Sequence, residues 1–228
     1  MNLIDKIVVI VGGSQGIGRA LAEGLIREGA TVVVVSKNKE RIETTANEIG
    51  ATALVADVRR ELELRNVASS VIDTFGSINL WVNSAGIFKK FPKNEHIDMD
   101  RAHELFDSNF FGAVFGSRVA LEVIKEGAIL NILSTSALDA TRAVGAELYA
   151  ASKWALRGYV EALRSENIDS SVKILSVYPG GTKSHLHDEA IPAAFDSFME
   201  PEYVTNKIIE NLKKQEPVPD LIIKRPVS

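Results

Sequence analysis

Five apolar residues, IVVIV at 7–11, run straight into the glycine-rich turn GGSQGIG at 12–18, and a segment of helical pattern, RALAEGLIREG, follows at once. A strand, a turn almost free of side chains and a helix in so short a space confine the chain to a tight βα unit. Its backbone amides then converge at a helix N-terminus. The same rhythm returns along the sequence. Short β-branched runs at 31–35, 52–56, 79–82, 128–133 and 172–177 alternate with longer helical patterns. A last strand is predicted at 221–223, after a helix over 203–215 and the breakers Pro217 and Pro219. Continuous rather than alternating apolar strands imply a parallel sheet covered on both faces and joined by right-handed crossovers. The expected fold is α/β: a doubly wound, Rossmann-type parallel sheet of about seven strands with helices on both faces.

With 228 residues, 46% of them hydrophobic, and neither a linker nor an internal repeat, the expectation is one domain over 1–228. A net charge of -4, from 26 basic and 30 acidic residues, offers no electrostatic footprint for nucleic acid or an anionic membrane. Small-molecule chemistry is favoured instead. The absence of cysteine excludes disulfides, thiolate metal sites and cysteine nucleophiles. The first apolar run is too short for a signal-peptide core or a membrane span, so a cytoplasmic protein is expected.

Gly12, Ser14, Gln15, Gly16, Ile17 and Gly18 are the candidate phosphate contacts. In this scheme Gly12 permits the turn, Gly16 the close approach of a pyrophosphate, and Gly18 the packing of helix on sheet. About twenty residues further on, a site for NAD usually carries a carboxylate for the ribose 2′-hydroxyl. This chain has Ser36 and Lys37 there, with the nearest carboxylate, Glu40, already in the next helical pattern. A lysine answers the charge of a 2′-phosphate and a serine hydroxyl adds a hydrogen bond, so NADP(H) is favoured over NAD(H).

Downstream, YAASK sets Tyr149 and Lys153 one helical turn apart on a common face. A neighbouring ammonium favours the phenolate, so the pair is expected to lower the phenol pKa and make Tyr149 a general acid/base.

Together these motifs resemble the short-chain dehydrogenase/reductase family, over roughly the first 185 residues. GGSQGIG is similar to its cofactor loop, and ADV at 56–58, with Asp57 and Val58, to its adenine contact. NSAG at 83–86 supplies Asn83, Ala85 and Gly86, with Ser84 where the family more often has a second asparagine. YPGGT at 178–182 resembles the nicotinamide-side loop and supplies Pro179, Gly180 and Thr182. The resemblance implies hydride transfer between a nicotinamide and a carbonyl/alcohol pair, with Tyr149 as acid and base and Lys153 also holding the nicotinamide ribose. It implies that Asn109, in DSNFFGAVFGS, holds a water linking Lys153 to solvent. For the hydroxyl that orients the carbonyl oxygen, counting from Asn131 along GAILNILS selects Ser134, whereas spacing to the tyrosine selects Ser136. Ser134 is preferred, since a strand fixes register better than a loop. A homotetramer or homodimer is also implied, pairing through 101–124 and 147–166 with Ala113, Gly116, Ala155 and Gly158 at the contacts.

Residues 183–200, with Leu186, Ile191, Pro192, Phe195, Phe198 and Met199, read either as a substrate lid or as a small helix completing the core. Phe88, Phe91, Leu138 and Val144 are candidates for the rest of a pocket suited to a small, modestly apolar carbonyl compound, with no fixed cation evident for an acidic one. His185, His187 and Asp188 invite a metal reading, yet no thiolate or carboxylate cluster accompanies them, and no metal is expected. A cofactor-sensing regulator without turnover is the alternative from another class, disfavoured because Tyr149 and Lys153 are both present. A nucleotide-sugar epimerase is disfavoured by chain length and loop spacing.

Overall fold

A computed structural model of the chain describes residues 1–91, 96–143, 145–187, 191–192 and 194–225. Seven strands, β1 (Ile7–Val11), β2 (Thr31–Ser36), β3 (Thr52–Val55), β4 (Leu80–Asn83), β5 (Gly127–Ile132), β6 (Val172–Pro179) and β7 (Asp220–Ile223), pair in the order β3-β2-β1-β4-β5-β6-β7. All the pairings are parallel. The chain moves outward from β1 to β3, then returns to the other side of β1 for β4, which leaves a crevice above the β1/β4 boundary.

Alternation within each strand explains the two cores. Val8, Ile10, Val32, Val34, Leu80 and Val82 face one side, where they pack with Leu21 and Leu25 of α1 (Gly16–Arg27) and Ile208 and Leu212 of α7 (Pro201–Leu212). Val9, Val11, Val33, Val35, Trp81 and Ile129 face the other, against Leu64 and Val67 of α3 (Glu61–Phe75) and Val119 of α5 (Gly112–Val123). Helix α2 (Lys39–Ile49) joins the first face through Ile42 and Ala46. Leu156 and Val160 of α6 (Glu147–Glu166) extend the second around Ile174 and Tyr178. Burial on both sides makes the central strands apolar throughout, as a parallel sheet requires. The edge strand β3 departs from that pattern: Thr52 and Val55 are exposed.

Several elements differ from the sequence reading; β5, for one, runs 127–132 rather than 128–133, and β6 continues to Pro179. The region expected as one helix over 101–124 is two helices, α4 (Met99–Phe106) and α5, joined by a π-turn at Asp107–Phe111. The last helix begins at Pro201, which suits a first turn because its missing N–H has no intrahelical partner to lose. It ends at Leu212 because the Asn211 side chain bonds both the N–H and the carbonyl of Val218, at 2.9 and 3.0 Å, turning the chain toward β7. Strand β4 starts one residue later than expected, since Asn79 spends its side chain accepting from the Ile7 N–H at 3.0 Å.

Candidate active site

The crevice is a cleft of about 1640 Å³ along the C-terminal edge of the sheet. Its walls gather Gly12, Ser14, Gln15, Gly16, Ile17 and Gly18 after β1, Ser36 and Lys37 after β2, and Asp57 and Val58 after β3. Ala85 and Gly86 follow β4, Ser134 follows β5, Tyr149 and Lys153 come from α6, and Pro179, Gly180 and Thr182 lie at the end of β6. A side recess of about 450 Å³, lined by Lys37, Asn38, Val55, Asp57 and Glu63, continues it at the β2/β3 end.

At Gly12 and Gly18 the turn after β1 has no space for a side chain. A Cβ on Gly18 would sit 2.1 Å from the Gly12 carbonyl oxygen, and one on Gly12, whose φ is +91°, only 2.4 Å from the Ala85 nitrogen. The loops after β1 and β4 therefore touch, and α1 descends directly from the turn. Gln15 at its start makes no side-chain cap, so the first amides of α1 are left to whatever enters the cleft. Thr45 holds the loop from behind, its hydroxyl donating to the Ser14 carbonyl at 3.0 Å. An uncapped helix start beside a backbone-lined hollow fits a dinucleotide pyrophosphate.

At the β2 end, Lys37 is exposed and Ser14 donates to the Ser36 hydroxyl at 3.3 Å. Arg41, in the first turn of α2, also lines the cleft and donates to Gln15 Oε1 at 2.9 Å. The sequence reading missed it, although a second cation just past the Asn38 cap was the available signal. Asp57 lies in the cleft wall with its carboxylate held by Arg59, whose Nε and Nη2 reach it at 3.0 and 2.5 Å. That contact holds the Asp57 carboxyl below the usual carboxylate range.

Two expected contacts stand behind the wall instead of in it. Asn83 is buried, and its Nδ2 donates to Asn131 Oδ1 at 2.9 Å and Ser117 Oγ at 3.0 Å while its Oδ1 accepts from Trp81 Nε1 at 2.9 Å. It ties β4 to β5 and α5, and Ser84 lines the cleft in its place. Asn109 lies in the π-turn and is 1% exposed. Its Oδ1 accepts from Ile87 N at 2.7 Å, and its Nδ2 donates to Ile87 O at 2.9 Å and Ser152 Oγ at 3.2 Å. With every side-chain group engaged, Asn109 pins the loop after β4 against α6.

Tyr149 and Lys153 share one face of α6 as the spacing requires, with the Lys153 Nζ 5.9 Å from the Tyr149 ring centre. Their electrostatics reverse the expectation. Burial pushes the phenol up to about 12, with a hydrogen bond from Ser134 opposing it, and brings the lysine down to about 8. Desolvation of the charged form is the largest cause for both groups. The ammonium instead donates to the Ile132 carbonyl at 3.1 Å. Ser134 reaches Tyr149, and Ser136, which also lines the cleft, has its hydroxyl 3.2 Å from that of Ser134. Phe88 closes one side, edge-on to Tyr149 with ring centres 5.1 Å apart.

The segment at 183–200 is anchored at its base. Thr182 and Met199 form a bridge, and Lys183 N donates to Met199 O at 2.9 Å. Leu186, Pro192 and Phe198 line the cleft while Met199 is buried in the first core, so wall and core are built from the same segment. Ile191 is exposed, and Phe195 packs on Phe198. Phe91 is buried beneath Tyr149 and Leu138 packs beside α6, so neither lines the cleft. Val144, Asp188 and the side chain of His187 lie outside the described residues. Among those described, no group of three His, Asp or Glu side chains is arranged to hold a metal ion. None of the described helices is long and apolar enough to cross a membrane.

This combination of sheet order, glycine turn and α6 pair defines a class. The family model for short chain dehydrogenases matches residues 6–193, and the chain belongs to that family. It is 30% identical over 217 residues to the uncharacterized oxidoreductase YxnA of Bacillus subtilis (strain 168), covering 88% of this chain and 60% of that relative. It is also 30% identical over 200 residues to an uncharacterized oxidoreductase of Staphylococcus aureus (strain USA300), covering 85% of this chain and 83% of that one. The crystal structure of a 3-ketoacyl-(acyl-carrier-protein) reductase from Brucella melitensis, complexed with NADH, has the same fold. It superposes with a TM-score of 0.89 at 24% identity, covering 97% of each chain.

Proposed function

We propose that residues 1–228 act as one oxidoreductase domain that transfers a hydride between NADP(H) and a carbonyl/alcohol substrate. The observation that carries this reading is the convergence of the Ser134 hydroxyl, the Tyr149 phenol and the Lys153 ammonium on the cleft that the glycine turn opens. The nicotinamide would supply or accept the hydride; the protein must orient the carbonyl and handle one proton. Ser134 orients the carbonyl oxygen and stabilises its developing charge. Tyr149, kept protonated by burial, donates the proton in the reductive direction. Lys153 holds the nicotinamide ribose and offers a cation from which the phenolate formed in the reaction gains.

NADP(H) is supported over NAD(H) by two cations at the β2 end, Lys37 and Arg41, with the Ser14 and Ser36 hydroxyls between them. The carboxylates lining that end are each paired with an arginine, Asp57 with Arg59, Glu63 with Arg60 and Glu48 with Arg19, which disfavours their holding a free ribose hydroxyl. Both relatives are described as oxidoreductases, and the reductase of like fold is complexed with NADH, which supports a nicotinamide without deciding its phosphate. Nothing in the site or the relatives favours the regulator reading. The aromatic and aliphatic lining at Phe88, Leu186, Pro192 and Phe198 suits a modestly apolar carbonyl compound.

A panel of aldehydes and ketones followed through NADPH absorbance tests the proposal. Oxidation of NADPH that depends on both protein and carbonyl is expected, faster than with NADH. No turnover of any panel member by protein that binds NADPH would contradict it.

A further inference from the structure

The two ends of the cleft differ in charge. The acidic residues in its described walls are Glu48 and Asp57, which stand on α2 and after β3 at the β2/β3 end and are paired with Arg19 and Arg59. The opposite end carries Lys224 and Arg225 and no carboxylate among its described lining residues. Lys224 and Arg225 follow β7 directly, are exposed, and make no ion pair among the described residues. In a chain of net charge -4 this local excess runs against the overall balance.

Sheet order separates these cations from the cofactor phosphates. Ile223 pairs with Pro179, so Lys224 emerges beside the loop at Gly180. At about 4.8 Å between strands, β7 lies roughly 19 Å from β1 and its pyrophosphate turn, and further still from Lys37. It lies only two strands from β5, about 10 Å from the strand that carries Ser134. An anion held by Lys224 and Arg225 is therefore within one short chain of a carbonyl at Ser134 and Tyr149, with Phe198 between as an apolar wall.

We infer that the substrate is an anionic carbonyl compound, whose carboxylate or phosphate is held at the cleft mouth by Lys224 and Arg225 while its carbonyl meets Ser134 and Tyr149. This rests on the hydride-transfer reading above. It also overturns the sequence expectation that no fixed cation is available. The two residues stand next to the last predicted strand, and only the sheet order brings that strand to the substrate end. Both cations are solvated, so their joint effect is a roughly three- to thirtyfold preference rather than an absolute requirement.

The test measures kcat/KM with NADPH for straight-chain methyl-ketone carboxylates, from levulinate to oxooctanoate, each beside its methyl ester. The acids are expected to exceed the esters by roughly tenfold at low salt, most at the length that spans the gap, with the advantage shrinking as salt is added. In the double variant Lys224→Ala/Arg225→Ala the acid-to-ester ratio should fall toward one, through KM, while NADPH affinity holds. Esters reduced as well as acids by the wild type, or a ratio that survives in the variant, would overturn the inference and leave the hydride-transfer reading standing. A loss of NADPH affinity in the variant would reassign the cations to the cofactor. Failure of acids and esters alike in protein that binds NADPH would sink both readings.

Discussion

Ser134 and Ser136 could not be separated by counting along the chain, because strand register and spacing to Tyr149 select different residues. In the structure both line the cleft: Ser134 reaches the phenol and Ser136 reaches Ser134, so substitution decides between them. Ser134→Ala is expected to lower kcat by roughly 10², and Ser136→Ala by much less, in steady-state assays of NADPH oxidation. The opposite ranking would mean that Ser136 faces the carbonyl. Lys153 was legible as a partner of Tyr149, but its electrostatic state was not, since desolvation depends on what covers α6. Its folded pKa of about 8 lies below the ordinary lysine value of 10.5, so the unfolded chain holds more protons between those pH values. The destabilisation from a buried ammonium is therefore full below pH 8 and is relieved as pH rises toward 10.5. Lys153→Met should be more stable than wild type at pH 7 by up to about 3 kcal/mol, with the gap closing at alkaline pH, while losing activity. Urea titrations across pH measure this, and equal stabilities at pH 7 would contradict the burial argument. Tyr149, whose raised pKa makes stability fall as pH climbs above 10, is common to both proteins and cancels in the difference.

Among the elements, the strands were the most legible, because burial on both faces demands runs such as TVVVVS and leaves little room for another period. The helix expected at 101–124 shows where legibility ends. Asn109 satisfies the Ile87 backbone from within the π-turn, and that long-range demand, with no local pattern behind it, breaks the helix. Arg41 escaped for a related reason: its place in the cleft depends on how α2 lies against the turn after β1, where its guanidinium meets Gln15. At the end of β2, Lys37→Asp should reduce the preference for NADPH over NADH by about 10- to 100-fold, since it replaces an attraction to the 2′-phosphate by a repulsion. Arg41→Ala should weaken NADPH binding in the same sense without improving NADH. Fluorescence titrations of both cofactors at two salt concentrations check this, and an unmoved ratio in Lys37→Asp would show that cofactor choice is made elsewhere.

For the whole molecule, we propose pairing through α5 and α6, but through contacts other than those expected from the sequence. Ala113 is buried, and a Cβ on Gly116 would strike Asn83 Oδ1 at 2.1 Å, so both face inward and cannot form a subunit contact. The outer surfaces of the π-turn and α6 instead show Phe111 and Trp154, each 44% exposed, with Gly158 open beside them. A dimer or tetramer through these aromatics is expected, and Trp154→Glu should shift it toward monomer in light scattering. A wild-type monomer at micromolar concentration would contradict that. Sheet order, which no single segment encodes, is also what joins the ends of β1, β4, β5 and β6 into one cleft and brings Tyr149 to Ser134. The central claim is that this assembly moves a proton through the Tyr149 phenol during carbonyl reduction. Its most direct test is single-turnover reduction of a panel substrate by the NADPH complex of Tyr149→Phe, beside a fluorescence titration of NADPH. The account predicts a rate lower by roughly 10² or more with NADPH affinity nearly intact; a wild-type rate in the variant would contradict it.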